Sequence, residues 1–490
     1  MTASLRRLLP LLFVAGACAT APSRPIPPAN DDGLRGWQAL ADGHRPDAQA
    51  LFERRLREAP RDPVALFGQA SIAYERGDAR AALDGYAAAL TQLAAAPGAG
   101  SDWQPLLAPV AAARVLALYD EVGAPERARL IAALRPAELA RGTALTWLAR
   151  VDLSRLATHA AHEGGNAAEL ARVAGTAGCA TVAADLGLVG PLASADLEAP
   201  LPPESRAPGG WRSIDGSGCR VDLPSTADGH GGARVVRMAF EAAAGRYEVV
   251  VDYAGEGRLA IDGGEARPHG SADRYGPRIS AAEVALAAGR HDLELRLATR
   301  AAVAGFALYV LPVDRGAGPA SSAAAVRFVD PRTGGTAAGV TGPARDDYPD
   351  AAKVGPLADY CRAAIAQRIE ATDTALKALA SLRGQPRFAL GLALAGAVAH
   401  DDPTRPASIA RDAARGALRA AVAVDPELAR PWHDLASLAL EDERPRDAIE
   451  AGRAAVRAAP DWWAPQLLLT RAFTLRGLEF DANQAIEAAA

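Results

Sequence analysis

The hydrophobic positions of this chain follow patterns that change along its length. Near both ends, small and apolar residues recur at helical spacing, so that one face of each predicted helix is apolar. Between these regions, from Cys179 onward, apolar and polar residues alternate over short runs bounded by glycine-rich turns. The patterns predict two α-helical regions on either side of a β-sheet region.

The clearest helical pattern lies in residues 63–96. Ala70 and Ala82 are small enough for two helices to approach, Gly77 permits a turn, and Tyr86 fills the groove to the next unit. Matching residues stand 34 positions earlier at Gly36, Gly43, Ala48 and Phe52. This spacing resembles the tetratricopeptide repeat, which implies helix pairs stacked into a curved solenoid.

The carboxyl-terminal region carries the same spacing in several copies. Residues 430–462 have Trp432, Leu435, Ala436, Ala448, Ala455 and Pro460 at the repeat positions. Residues 463–490 follow with Leu469, Thr470, Phe473, Gly477, Ala482, Ile486 and Ala489. Because several positions agree in each copy, a second tetratricopeptide-like block is favoured over a generic alanine-rich bundle.

The resemblance also implies a binding surface, because the first helices of such repeats line a concave groove. The expected groove positions are Phe67, Ser71 and Tyr74 in the first block, and His433, Ser437, Leu440 and Arg471 in the second. A protein or peptide segment is the partner that this surface implies. The alternative is that these side chains only pack one repeat against the next.

The middle region has the period-two pattern of strands. Residues 235–240, 247–253, 293–297 and 306–313 alternate or are apolar throughout, with turns at Gly245, Gly263 and Gly289. Strands at such short spacing predict an antiparallel β-sandwich. The order of strands and turns resembles galactose-binding-like and protective-antigen-type sandwiches. The resemblance implies possible glycan or calcium binding, but Asp252, Asp262 and Asp292 stand apart in the sequence, and Asp262 fits a turn residue.

The first residues have the pattern of a leader. Arg6 and Arg7 precede a short apolar run, and Ala15-Gly16-Ala17-Cys18 resembles a bacterial lipobox, except that the family usually has leucine where this chain has Ala15. The resemblance implies cleavage after Ala17 and acylation of Cys18, which would hold the protein at a membrane. The alternative is an ordinary secretory signal that leaves a soluble periplasmic protein.

Three cysteines remain after Cys18. Cys179 and Cys219 flank the start of the β-region and could pair in an oxidising compartment, although the sequence leaves their geometry open. Such a bond would add about 3–4 kcal/mol in the chain-entropy model. Cys361 lies in a predicted helix and fits a small buried apolar residue.

Composition and motif searches argue against several functions. A net charge of −5 does not supply the concentrated basic surface that nucleic-acid binding needs. The cluster His159-Ala-Ala-His162-Glu163 matches neither order of zinc-protease motif, so we expect a solvated helix end. The sequence has no nucleophile elbow, phosphate loop or Cys-x-x-Cys pair, and no cofactor, metal or catalytic residue is predicted.

These observations together predict a multidomain α and β protein, with two tetratricopeptide-like α-helical solenoid blocks flanking an antiparallel β-sandwich. The predicted boundaries are 1–17 signal peptide, 18–31 Pro-rich tether, 32–175 first helical domain, 176–314 β-sandwich, 315–354 linker and 355–490 second helical domain.

We expect a non-catalytic protein-interaction scaffold of the bacterial cell envelope. It would be lipid-anchored, at the outer membrane facing the periplasm or at the cell surface, and would contact the membrane through its anchor only. The main alternative is a glycan-binding envelope lipoprotein that uses the sandwich. A weaker one is an enzyme accessory or remnant enzyme, which would require a polar pocket with perturbed carboxylates.

Overall fold

The computed structural model describes residues 31–95, 101–142, 144–189, 212–215, 219–223, 232–253, 255–264, 267–269, 279–299, 304–313, 326–331, 336–340, 345–346 and 353–489. Within these ranges the protein is mixed α and β, with helices on both sides of a middle region that holds two antiparallel sheets. The predicted signal peptide, the lipidation site Cys18 and almost all of the tether lie outside the described residues.

Capping and turn residues mark the ends of several of the amino-terminal helices. They are α1 (Asp32–Ala41), α2 (Arg45–Glu58), α3 (Pro63–Glu75), α4 (Ala79–Ala95), α5 (Gln104–Tyr119), α6 (Ala124–Leu134), α7 (Pro136–Arg141), α8 (Trp147–Glu163) and α9 (Ala167–Thr176). The Asp62 side chain caps α3 by accepting from the backbone N–H of Val64 and Ala65, at 3.0 Å each. Gly77 then takes a φ of +77° and turns the chain into α4.

The small repeat positions allow close packing, as predicted. A Cβ atom added at Gly36 would lie 2.4 Å from Cε1 of Phe52, closer than any packed carbon atom can approach. Consecutive helices α1 to α4 each contact the next. Glycine at this position is therefore what lets the Phe52 ring lie against α1.

The carboxyl-terminal helices continue the same arrangement. They are α10 (Pro356–Arg368), α11 (Thr372–Arg383), α12 (Ala389–His400), α13 (Ala407–Val424), α14 (Ala429–Glu441), α15 (Pro445–Ala458), α16 (Trp463–Leu475) and α17 (Glu479–Ala489). Each of them contacts the next helix along the chain. No helix in the described ranges combines the length and the apolar character needed to cross a bilayer.

The strands of the middle region form two sheets in which every named pair is antiparallel. The strands are β1 (Val182–Val189), β2 (Arg212–Asp215), β3 (Val221–Leu223), β4 (Gly232–Ala242), β5 (Gly245–Asp252), β6 (Gly257–Ile261), β7 (Arg267–His269), β8 (Ile279–Leu286), β9 (Gly289–Thr299), β10 (Ala304–Val313), β11 (Arg327–Val329) and β12 (Arg345–Asp346). One sheet has the order β2-β1-β4-β9-β6-β7, with β11 also on β4. The other has the order β12-β8-β5-β10-β3.

The five-stranded sheet is buried on both faces, and strand β5 shows why. Its residues Val249 and Val251 join a core that contains side chains of both sheets. Val250, which points to the opposite face, belongs instead to the core of the helices. The β-region is therefore packed directly against the helical part of the protein.

The two helical regions share one hydrophobic core rather than lying apart on either side of the sheets. The Trp37 ring of α1 lies 5.5 Å from the Tyr360 ring of α10 and 6.3 Å from the Phe388 ring, measured between centroids. Helices α1 and α3 also contact α12, and α3 contacts α14. The sequence predicted two separate blocks because repeat spacing does not encode contacts over 300 positions.

Part of the predicted linker 315–354 belongs to the sheets. In its described residues, β11 pairs with β4 through Phe328 and Phe240, and β12 pairs with β8. Strands of two or three residues are too short to show period-two alternation, which explains why the sequence predicted a linker here.

Candidate functional site

The first three predicted groove residues lie at the contact between the two helical regions. Phe67 and Ser71 of α3 are both 0% exposed. The Ser71 hydroxyl donates to the Phe67 carbonyl at 2.8 Å and accepts from the Tyr86 hydroxyl at 3.1 Å. Helices α12 and α14 pack against α3. Phe67 and Ser71 are therefore packing residues that offer no surface to a partner.

Tyr74 is half-buried and joins the helical regions. The Arg430 guanidinium lies 3.8 Å from the centre of its ring, and that of Arg114 lies 4.0 Å away. Arg430 Nε donates to the Tyr74 carbonyl at 2.7 Å, and Arg430 Nη2 donates to Glu121 at 2.6 Å. Trp462 Nε1 also donates to Glu121, at 3.1 Å. Side chains distant in sequence thus fix one region against the other.

Glu75, the next residue, is buried in the same junction and is 4% exposed. Burial raises the pKa of its carboxyl to about 7, against the lowering effect of Arg114 and Arg430, and Asp434 raises it further. The junction therefore contains an acid whose charge changes near neutral pH. Its pKa is a property of the assembled junction, because the groups that face it come from α5 and α14.

We expect Glu75→Gln to remove a pH dependence of stability. A raised pKa means that the folded state holds the proton more tightly, so the carboxyl contributes stability below its unfolded pKa and loses it as pH rises through about 7. Between pH 5 and 8 the free energy of unfolding of the wild type should fall by about 2–3 kcal/mol more than that of the variant.

Urea denaturation at both pH values measures this difference. Exposed Glu53→Gln is the control, and it should follow the wild type. Parallel curves for the wild type and Glu75→Gln would contradict the expectation.

The predicted groove residues of the second helical region have different environments. The His433 ring packs on Trp462, with centroids 5.0 Å apart, and Leu440 is buried. Ser437 is half-buried and lines a cavity of about 190 Å³ between α12, α13 and α14. Arg471 is exposed on α16. Of the seven predicted residues, Ser437 lines an open cavity and Arg471 is exposed outside it.

A larger cavity lies next to the one that Ser437 lines and shares one lining residue with it, and we call the two together the inner groove. The larger cavity has a volume of about 660 Å³ and is bordered by α5, α10, α11 and α12. Asp401 lines both cavities. The larger part combines apolar residues, including Pro109, Val110 and Val398, with the charged Arg114 and Arg368. The larger part thus has mixed chemistry and lies between the two helical regions.

The Ser437 end of the inner groove is acidic. It is lined by Asp401, Asp434 and Glu441, with His400 as the only basic side chain among its lining residues. His400 contacts Glu441 and Asp401 through its two ring nitrogens, at 3.1 Å each. Partial burial lowers the pKa of His400, but the hydrogen bonds to these carboxylates outweigh it and raise the pKa above its ordinary value.

Three aspartates of the middle region bind other residues of the chain. Asp252 forms an ion pair with Arg155 of α8, and Asp292 pairs with Arg290 at 3.0 Å. Asp262 takes a φ of +53° in its turn, as a turn residue does, and accepts from the backbone N–H of Asp292 at 2.8 Å. Their roles within the described residues are structural, and they do not converge on one ligand site.

Asp262 has a further partner that the sequence did not predict. Its carboxylate lies 2.7 Å from Nδ1 of His291, a ring that is 0% exposed and stacks on Phe240. Nε2 of His291 lies 2.9 Å from the carbonyl of Ala287. A buried imidazole of β9 thus fixes both the turn after β6, at Asp262, and the turn before β9, at Ala287.

The structure describes three cysteines, of which two are bonded to each other and one is free. Cys179 and Cys219 form a disulfide, one of the two possibilities that the sequence left open. Cys361 is a free, buried thiol in α10, as predicted, and burial raises its pKa. Chemistry at a thiolate is therefore disfavoured at this residue.

Sequence reasoning missed Arg114, Glu121 and Arg430, which join the helical regions. Charged residues on amphipathic helices ordinarily face water, and only the docking of distant helices buries these side chains. No family model matches the chain, and no curated protein is significantly similar to it.

Proposed function

We propose that the protein is a membrane-anchored, non-catalytic protein-interaction scaffold of the bacterial cell envelope. In this proposal Cys18 carries the lipid, the helical regions are tetratricopeptide-like solenoid blocks, and the two sheets form a β-sandwich that supports them. Repeat spacing, contacts between consecutive helices and a core common to both sheets support the architectural part. The lipobox-like sequence supports the anchor.

The inner groove is the structural feature that supports a binding function. The first helices of the amino-terminal region are covered by helices of the carboxyl-terminal region, which leaves no room for a ligand at Phe67 and Ser71. The groove around Asp401 stays open along α10 to α14. A partner segment that occupied both cavities would bind across both helical regions, and the larger cavity exists only when they are docked.

The chemistry of the inner groove defines the partner segment that fits it. The acidic end favours a lysine or arginine side chain, because complementary charge steers association and disfavours acidic competitors. The apolar part near Val110 and Val398 accepts aliphatic side chains. We propose a protein segment that carries a basic residue next to apolar ones.

Charge reversal at the acidic end tests this function. Glu441→Lys should weaken partner binding at least about tenfold, because like charges would then meet in the groove. Glu450→Lys is a matched control, since Glu450 is exposed on the neighbouring helix α15 and the charge change is the same. Affinity purification from membrane extracts with quantitative mass spectrometry compares both variants with the wild type.

The expected ligands are proteins lost with Glu441→Lys and retained with Glu450→Lys. Equal retention by the two variants would show that the inner groove is not the binding site. Thermal unfolding of both variants checks that the result does not come from misfolding.

The anchor has its own test. Cys18→Ser should abolish incorporation of labelled palmitate and move the protein from the membrane to the soluble fraction, because it removes the acylated side chain. Cys361→Ser is the control, since that thiol is buried and should leave labelling unchanged. Label retained in Cys18→Ser would refute lipidation at this residue.

A further inference from the structure

The ends of α5 and α8 bring three potential metal ligands together. Asp120 follows the last residue of α5, and His159 and Glu163 stand one turn apart at the end of α8. From the sequence, His159 and Glu163 fit a solvated helix end, because Asp120 lies 39 positions before His159. The packing of α5 against α8 supplies the third side chain.

The separations of the ligand atoms fit a small divalent cation. His159 Nε2 lies 3.3 Å from Asp120 Oδ1 and 3.8 Å from Glu163 Oε1, and all three atoms lie within 4.8 Å of one another. Tetrahedral zinc with bonds of about 2.0–2.1 Å places its ligand atoms roughly 3.3–3.4 Å apart. Small side-chain adjustments would therefore bring the three atoms to bonding distance around one ion.

A residue outside the triad orients one of its carboxylates. The Tyr119 hydroxyl donates to Oε2 of Glu163 at 2.9 Å, while Oε1 of the same carboxylate faces His159. The Tyr119 ring also packs edge-on against the His159 ring, with centroids 5.4 Å apart. Hydrogen bonding of a ligating carboxylate by a buried neighbour is a regular feature of metal sites.

Among the described residues, two acidic side chains and one arginine determine the charge at the triad. As metal ligands, two carboxylates and one imidazole would together supply a charge of about −2, which a divalent ion would neutralise. Arg127 is the cation that faces them, with Nη1 3.6 Å from Glu163 Oε1 and its guanidinium 5.5 Å from the Tyr119 ring centre. Arg127 competes with the ion for Glu163, and this competition lowers the affinity of the triad for the metal ion.

We propose that Asp120, His159 and Glu163 bind a divalent first-row transition metal of the zinc class. The imidazole nitrogen selects such metals over magnesium and calcium, which prefer sites made only of oxygen atoms. Three protein ligands leave a further coordination position for water or for a group on another molecule. The bound ion would tie the end of α5 to the end of α8, a role separate from partner binding in the inner groove.

Isothermal titration of the purified, metal-stripped full chain with Zn²⁺ tests the proposal. One ion should bind per chain, and Mg²⁺ and Ca²⁺ should not compete for it. His159→Ala should raise the dissociation constant at least about tenfold, and Tyr119→Phe, which keeps all three ligands, should raise it about tenfold. Asp120→Asn gives a second ligand variant if His159→Ala folds poorly.

The matched control is His44→Ala, because His44 is exposed and lies 4.0 Å from a single carboxylate, that of Asp47. It should leave the dissociation constant for Zn²⁺ unchanged. Absence of binding by the wild type overturns the proposal. So does an equal dissociation constant for the wild type, His159→Ala and Asp120→Asn.

Discussion

Asp152→Ala is expected to lower the free energy of unfolding by about 3 kcal/mol, because it removes a fully buried carboxylate that is the counter-charge of the partly buried Arg368. Asp152 of α8 is 0% exposed and accepts a hydrogen bond from Arg368 of α10. Arg155 Nη1 lies 3.5 Å from the same carboxylate and also pairs with Asp252 of β5. One carboxylate thus connects both helical regions to the five-stranded sheet.

The size of this effect follows from burial and not from the number of ion pairs. Asp84→Ala is the matched control, since Arg129 donates to both Asp84 oxygens, at 3.0 and 3.2 Å, on an exposed surface. Exposed pairs contribute about 1 kcal/mol or less. Urea denaturation of both variants should therefore separate them clearly, and similar losses would contradict the importance given to the Asp152 contacts.

The second large effect is expected at the disulfide. Replacing both Cys179 and Cys219 by serine should reduce the free energy of unfolding by about 4 kcal/mol in the chain-entropy model. The bond joins residues 40 positions apart. It connects the end of the amino-terminal helices to the start of β3, because Cys179 comes three residues after the end of α9 and Cys219 comes two residues before Val221.

Equilibrium denaturation with and without reductant measures this contribution. Reductant should destabilise the wild type but not the double serine variant, because Cys361 is a free thiol. A wild type that is equally stable under both conditions would show that the disulfide adds nothing to stability.

Much of the local structure could be predicted from the sequence. The 34-residue spacing of Gly36 with Ala70 and of Gly43 with Gly77 marked helix-packing positions and turns. Alternation in residues 247–253 marked strand β5. These signals are local, because the hydrophobic period of a helix or a strand appears in consecutive residues.

The candidate site could be predicted only in part. Ser437 lines an open cavity, whereas Phe67 and Ser71 are buried under helices from the other end of the chain. Repeat spacing indicates which face of a helix is inward, but it does not indicate whether a ligand or another part of the same chain covers that face.

The sequence by itself determined the kinds of elements, their order and the small residues that let them approach. Only the tertiary structure decided that the helical regions share a core, that the five-stranded sheet is covered on both faces, and that Glu75 and Asp152 are buried. The physical reason is that the sequence around a charged residue is the same whether its side chain faces water or is buried in an ion pair. The distant partner that makes its burial possible, such as Arg368 for Asp152, is brought to it by folding alone.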